Sequence, residues 1–493
     1  QPPGAEARGH EVGIHEVAPR LRAWARAHVP ELCAFGVGVL ARLSMALLFD
    51  ARIGYDFNAH WPHIQYIATK HALPPLAFNA TAYHPPLYHT IAAVLVAQGL
   101  DAGALGWMGA LWGIARLGLI WVALEKWLPE SRLARVVALA LAAVVPVSVQ
   151  LDGMITNEAL VMLMAAAVFV VTPSAIAATR SGRLAPMLGL SLLLALALMS
   201  KVSASVLVLS VAVAIGLEIV RARPPATWWR ALRARARPVI AGALVLAAVA
   251  GPFFVRNQIL YGMPSPTGYD GLLKPNQAPY EKIPYFQRRP LGFYLAWNLD
   301  IYVSPLYPSG IKPNPRFFPV LLASTFSDYY GYSFSGGGVY KGERWIPGEG
   351  VTLGAMSIGA GTVIALVTVI AWLGVVRALW RRRADGEPDP RFALLLPPLG
   401  ALIGALHFAT KYPNDNFGPI KGAYLQFVAP ILCAVFGVGV AWMWGRGRRP
   451  WRVAAVVAMG AVVIVAAYVV QARFPRFGPR AYRAAPFFAA DHK

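Results

Sequence analysis

The chain has 493 residues, of which 57% are hydrophobic and 14% charged, against roughly a quarter charged in water-soluble domains, so it has too few polar side chains to cover a water-facing surface. The formal charge of +22 does not mark a nucleic-acid binder, because the basic residues lie in short loops between apolar runs, not on one soluble domain with interleaved aromatics. Cys33 and Cys433, the two cysteines, fall inside apolar runs and give no basis for a disulfide framework or a zinc site.

A membrane-crossing helix needs about 20 apolar residues. Many stretches meet that test, and their long uninterrupted runs exclude barrel strands, which alternate with period two. The expected fold is therefore an all-α polytopic membrane protein of about 11 transmembrane helices. Residues 1–29, with Arg20, Arg22 and Arg26 spaced among Leu21, Trp24 and Val29, read as a cytoplasmic amphipathic lead-in, and residues 1–28 lack the apolar core of a signal peptide. The first span is expected at 30–50. An outer loop, 51–103, follows, and within it Leu87–Leu100 reads as a helix lying along the outer interface. Further spans are expected at 104–124, 133–150, 158–177, 185–199, 203–220 and 238–256. A long, aromatic outer loop occupies 257–351, with Ser335-Gly336-Gly337-Gly338 as a flexible joint. The last spans are expected at 352–377, 392–410, 422–443 and 452–471, before an outer-face tail at 472–493. In this threading arginine clusters such as Arg381/Arg382/Arg383 and Arg446/Arg448/Arg449/Arg452 lie inside, where they satisfy the positive-inside bias and attract anionic head groups.

Five of the ten histidines sit in the first outer loop, four of them in Tyr55-Asp56-Phe57-Asn58-Ala59-His60-Trp61-Pro62-His63 and Tyr83-His84-Pro85-Pro86-Leu87-Tyr88-His89 and the fifth, His71, between these stretches. If the first stretch is helical, Asp56, His60 and His63 share one face. Asp56 there is a candidate general base, with an imidazole orienting it or sharing a divalent metal; a helix cap with headgroup-level histidines is the alternative. Glu158, after Asp152 and Asn157, is either a second acid of the site or a helix N-terminal carboxylate. Lys201 and Arg256 lie at outer boundaries that the positive-inside rule does not explain, and suit an anionic ligand such as a phosphate. His407, Lys411, Asp415 and Lys421 form a further outer polar cluster.

These pieces, in order, resemble the GT-C superfamily of integral-membrane glycosyltransferases, in the branch of protein O-mannosyltransferases and lipid A aminoarabinose transferases. The resemblance is carried by Gly54-Tyr55-Asp56 with His60, Leu73-Pro74, Tyr83-His84-Pro85-Pro86-Leu87-Tyr88, Ala115-Arg116-Leu117, Thr156-Asn157-Glu158, Ser200-Lys201, Val255-Arg256-Asn257, Leu260-Tyr261-Gly262-Met263-Pro264 and Lys421-Gly422-Ala423-Tyr424-Leu425. It implies a catalytic membrane module over 30–256, a polyprenyl-phosphate-linked sugar donor, a glycan, lipid or protein acceptor hydroxyl, and inverting displacement on the outer face of a membrane, the bacterial inner membrane being the expected one. Asp56 and Glu158 would be catalytic. His60, His84, Tyr88, Lys201, Arg256 and Lys421 would bind substrate or its phosphate. No cofactor is required by the resemblance, and a divalent metal on Asp56, His60 and His63 is left open. Two positions depart from it: Phe57 stands where many relatives carry a second acidic residue, and Ala423 replaces the arginine of a Gly-Arg-Tyr motif. A transporter or flippase of an anionic lipid-linked substrate, and a glycan ligase or polymerase on the same lipid carrier, are the competing readings.

Overall fold

The computed structural model describes residues 14–220, 228–267, 282–303, 316–329, 339–341, 344–346, 349–381, 392–413 and 420–471. The 335–338 joint, Asp415, Arg382 and Arg383, and the 472–493 tail lie outside these. The described chain is a helical membrane protein: α1 (Ile14–Ala27), α2 (Val29–Leu48), α3 (Phe57–Lys70), α4 (Leu87–Ala97), α5 (Ala102–Trp127), α6 (Arg132–Val144), α7 (Pro146–Gly153), α8 (Glu158–Arg180), α9 (Ala185–Ser200), α10 (Ser205–Val220) and α11 (Trp228–Tyr261) form the amino-terminal part. After them come α12 (Leu291–Leu295), α13 (Phe317–Phe326), α14 (Glu349–Arg381), α15 (Phe392–Lys411), α16 (Ala429–Gly445) and α17 (Arg449–Gln471). One short antiparallel hairpin pairs Val339–Lys341 with Arg344–Ile346.

Among the described residues seven helices are long and apolar enough to cross a membrane, or eight if the bent α6–α7 pair is one span, against the 11 expected from hydropathy. The difference has local causes. Pro146 cannot continue the hydrogen-bond ladder of α6, and the pair bends by 49°. The expected 185–199 span is α9, whose 16 residues reach about 24 Å, short of the roughly 30 Å hydrocarbon core, and the expected 203–220 span is α10, described over Ser205–Val220. The expected 422–443 span is among the seven, as Gly422–Gly445, its first turns, Gly422–Val428, taking a 3-10 form before α16, which starts at a proline in its first turn; the expected 392–410 span is α15, 20 residues with Pro397 and Pro398 inside it. Helix α4 has 11 residues, about 16 Å, which agrees with an element that does not cross.

The cores explain how the outer loop is held. Helix α5 is capped by Asp101, whose Oδ1 accepts from Ala104 N at 2.9 Å, and it packs on α2, α6, α7 and α8. Helices α3 and α4 pack together over Ala51, Ile64, Tyr88, Ala92 and Leu105. Below them, three charged side chains are shut inside the helix bundle. Asp152 Oδ2 accepts from Arg42 Nε and Arg116 Nη2, each at 2.8 Å, and all three residues are buried. Arg42 Nη1 donates to the carbonyls of Gly38 and Ala143 at 3.0 Å. The close approach needs glycine: a Cβ on Gly113 would lie 2.3 Å from Asp152 Oδ2.

Candidate active site

Asp56 precedes α3 in a left-handed conformation (φ 55°, ψ 23°), and its side chain makes no capping bond to the helix. A non-glycine residue there is unusual and strained, and the effect is to turn the carboxylate out of the cap. Gly54, two residues earlier, lets the turn close on Met154, against which a Cβ would come within 2.9 Å. The carboxylate instead meets Lys421, whose Nζ lies 3.2 Å from Asp56 Oδ2; the Asp56 side chain is 59% exposed and that of Lys421 only 14%. Lys421, chiefly by its charge, holds the Asp56 carboxyl below its ordinary range against the opposing effect of burial. The Asp56 carboxylate is therefore ionised, reached by water, and oriented by the Lys421 ammonium.

A second carboxylate–lysine pair lies beside the first. Glu158 opens α8, where Thr156 Oγ1 accepts from its backbone N–H at 3.4 Å, and its Oε1 pairs directly with Lys201. Lys201 ends α9 in an extended conformation, and Asn157 Nδ2 donates to the Ser200 carbonyl at 2.9 Å, which staples the two helix ends. Glu158 Oε2 is buried with no hydrogen-bond partner, so one strong acceptor in the site is unfilled.

One segment joins the two pairs. Lys421 Nζ sits 5.2 Å from the Tyr55 ring centroid, and Lys201 Nζ sits 4.9 Å from that of Tyr424. Lys421 and Tyr424 belong to the start of the 3-10 segment, which is pinned by Gly422 N donating to Ser324 Oγ at 2.9 Å and by Gln426 Nε2 donating to Gly422 O at 2.9 Å. Gly422 is required here: a Cβ would meet Ser324 O at 2.8 Å. Ala423, at the position of the missing arginine, is buried in the main core, and Phe57 stacks on Trp61 at 6.1 Å, so both departures from the resemblance serve packing.

The histidines form a stack. His60 Nδ1 and His89 Nε2 share a hydrogen bond of 2.9 Å; the rings of His63 and His89 lie 3.9 Å apart, and those of His60 and His84 5.7 Å apart. Tyr88, 1% exposed, stands edge-on to His60. Burial, the largest influence, lowers His60 to about 4 and His63 to about 3, and lowers His84 well below its ordinary value. The stack is neutral at pH 7, so His60 and His84 act there by hydrogen bonding and shape. Among the described residues no three His, Cys, Asp or Glu side chains are arranged to hold a metal ion: an ammonium stands beside Asp56, His60 Nδ1 is engaged by His89, and His63 Nδ1 lies 3.4 Å from Thr81 Oγ1.

The structure thus brings together Asp56, His60, His84, Tyr88, Glu158, Lys201 and Lys421. Arg256 is apart. Its Nη1 donates to Asn257 Oδ1 at 3.2 Å and it lies 6.0 Å from the Tyr261 ring, while Tyr261 Oη accepts from Leu76 N at 3.2 Å; no hydrogen bond or ion pair joins it to either lysine. His407 accepts or donates at 2.9 Å to Tyr285, and Arg288 Nη1 donates to the Lys411 carbonyl at 3.0 Å, so that part of the outer cluster anchors the 282–303 segment. Three partners were not assigned from sequence: Tyr424, His89 and the Arg42–Asp152–Arg116 triad. Tyr424 and His89 lie inside the stretches singled out; Arg42 carried no signal beyond being a charge within a span.

No protein-family model matches the chain, and no curated protein matches it. Among solved structures, the oligosaccharyltransferase of the archaeon Archaeoglobus fulgidus aligns in its apo form at 12% identity, TM-score 0.43, over 90% of this chain and 56% of its own. The same enzyme with an inhibitory peptide and a dolichol-phosphate aligns at 12% identity, TM-score 0.47, over 95% and 59%. Tethered to an acceptor peptide, it aligns at 10% identity, TM-score 0.48, over 96% and 58%. The chain spans less than three fifths of that enzyme's length, and at these identities and scores the likeness carries no assignment of activity.

Proposed function

We propose that the chain is an inverting membrane glycosyltransferase of the GT-C type, moving a sugar from a polyprenyl-phosphate donor to an acceptor hydroxyl on the outer face of a bacterial inner membrane. The observation that carries this reading is Asp56: an ionised, water-reached carboxylate in a strained turn, held 3.2 Å from a nearly buried lysine and next to a second lysine–carboxylate pair. Asp56 takes the proton of the acceptor hydroxyl as the acceptor oxygen attacks the anomeric carbon. The bond from that carbon to the phosphate oxygen breaks, and the electron pair leaves with the lipid phosphate. Lys201 and Lys421 face the developing negative charge. With ammonium groups already beside the carboxylates, the residues present do not fit a divalent metal, and no step runs through one.

His60 is neutral, and one of its ring nitrogens is engaged by His89 at 2.9 Å, so in this reading its other nitrogen hydrogen-bonds a hydroxyl of the bound sugar and His60 does not bind phosphate by charge. Glu158 Oε2, buried and unfilled, is an acceptor for another.

The test is turnover of a panel of polyprenyl-phosphate sugars by purified protein with candidate hydroxyl acceptors. Release of polyprenyl phosphate together with a glycosylated acceptor supports the reading. Tight binding of the whole panel without release contradicts it and favours a carrier.

A further inference from the structure

A second charged site lies at the far end of α16. That helix starts just after the Lys421–Tyr424 segment and runs 17 residues to Gly445, about 26 Å, so its end is on the opposite face of the bundle from Asp56. Gly447, at φ +70°, turns the chain into α17, with Arg446, Arg448, Arg449 and Arg452 packed into seven residues. There is no Asp or Glu anywhere from 416 to 490. Arg446 lies over the Trp442 ring at 4.4 Å; among the described residues Arg448, Arg449 and Arg452 have no carboxylate within ion-pair distance. The positive-inside bias accounts for the side on which such a cluster lies, and guanidiniums this close together repel one another, a repulsion that a bound anion relieves.

Two of these arginines line a notch. It measures about 370 Å³ and is bounded by Trp444, Arg449, Arg452, Val453, Val456 and Val457. The walls differ in kind: the side chains of Arg449 and Arg452, and along α17 a row of exposed valines, Val453, Val456 and Val457, each more than half exposed, at the i, i+3 and i+4 spacing of one helix face. Trp442 and Trp451 meet edge-to-face at 5.1 Å beside it, and tryptophans of this kind mark headgroup depth. A soluble phosphate would use the cations and leave the valine row bare. An anionic lipid uses both.

We infer that this notch between α16 and α17 binds an anionic phospholipid, its phosphodiester between Arg449 and Arg452 and an acyl chain along Val453, Val456 and Val457. The inference stands apart from the proposed transfer reaction. The experiment is native mass spectrometry of the full chain, delipidated in a neutral detergent, titrated with phosphatidylglycerol or phosphatidylcholine of the same acyl chains. Phosphatidylglycerol is expected to stay bound where phosphatidylcholine is lost. The double variant R449Q/R452Q, melting with wild type, is expected to weaken phosphatidylglycerol by about tenfold or more, from the loss of two interfacial cations, whereas R449K/R452K keeps most of the preference. Millimolar inorganic phosphate is expected not to displace the lipid. Equal binding of the two lipids, full retention of phosphatidylglycerol by R449Q/R452Q, or displacement by phosphate overturns the site; should R449Q/R452Q fail to fold, V456N weakening phosphatidylglycerol retention decides for it and no change decides against.

Discussion

The buried triad makes the sharpest stability prediction. Asp152→Asn keeps the shape of the side chain and removes its charge, which leaves Arg42 and Arg116 side by side with no counter-ion at a place where Arg42 and Asp152 have 0% side-chain exposure and Arg116 4%. Both 2.8 Å bonds to Oδ2 are charge-assisted, and breaking such a buried pair costs about 3–5 kcal/mol, a hundred- to several-thousandfold rise in the opened population at 1.4 kcal/mol per decade. The same reasoning says that the triad as a whole contributes little, because desolvation of three charges offsets their attraction. Replacing all three by apolar side chains, Arg42→Met, Arg116→Met and Asp152→Leu together, is therefore expected to be less destabilising than Asp152→Asn alone. Tryptophan-fluorescence melting and denaturant titration in detergent read the order directly. An Asp152→Asn protein that melts with wild type, or a triple variant less stable than the single one, would refute the reasoning.

Other perturbations have equally definite outcomes. Gly422→Ala drives a Cβ into Ser324 O and Thr325 and shifts Lys421, so turnover is expected to fall at least tenfold with a smaller change in melting temperature. Lys421→Met removes the cation that depresses Asp56; the carboxyl then titrates at higher pH, and the acid limb of the pH–rate profile moves upward, which steady-state rates from pH 4 to 8 will show. His60 and His63 have folded values of about 4 and about 3, below the unfolded value near 6.5, so the unfolded state binds more protons between these limits. Stability is complete above pH 6.5 and is lost as pH falls toward 4, by up to about 1.4 kcal/mol per histidine per unit, and His63→Gln is expected to flatten that slope in melting curves. Arg256→Ala, whose guanidinium is engaged by Asn257 and the Tyr261 ring and by neither carboxylate of the site, is expected to change turnover less than Lys201→Ala does in the same assay.

Hydropathy made most helices legible because crossing a membrane demands long apolar runs, and the starts of α2, α5, α6 and α8 fall within three residues of those expected. What hydropathy misses is continuity. Pro146 breaks one expected span, and the hydrogen bonds of Gly422 and Gln426 hold another's first turns in a 3-10 form. In the site, residue type and position pointed to Asp56, Glu158, Lys201 and Lys421 individually. Their pairing was not legible: Asp56 and Lys421 are 365 positions apart and Glu158 and Lys201 are 43 apart, and it is the packing of α8 against α9 that joins the second pair and of the 421–428 segment against α8 that brings Lys421 beside it. The histidines were visible as a cluster, but a ligand set and a neutral stack look alike in sequence; burial of the rings and the His60–His89 bond distinguish them.

The most direct measurement of the central claim is the rate of polyprenyl phosphate release by Asp56→Asn beside wild type, at matched melting temperature and with the best donor of the panel. A general base in this position requires the Asn variant to lose about a hundredfold or more in kcat while still binding donor. Release at the wild-type rate by Asp56→Asn would contradict the assignment of Asp56 as the base and, with it, the proposed mechanism.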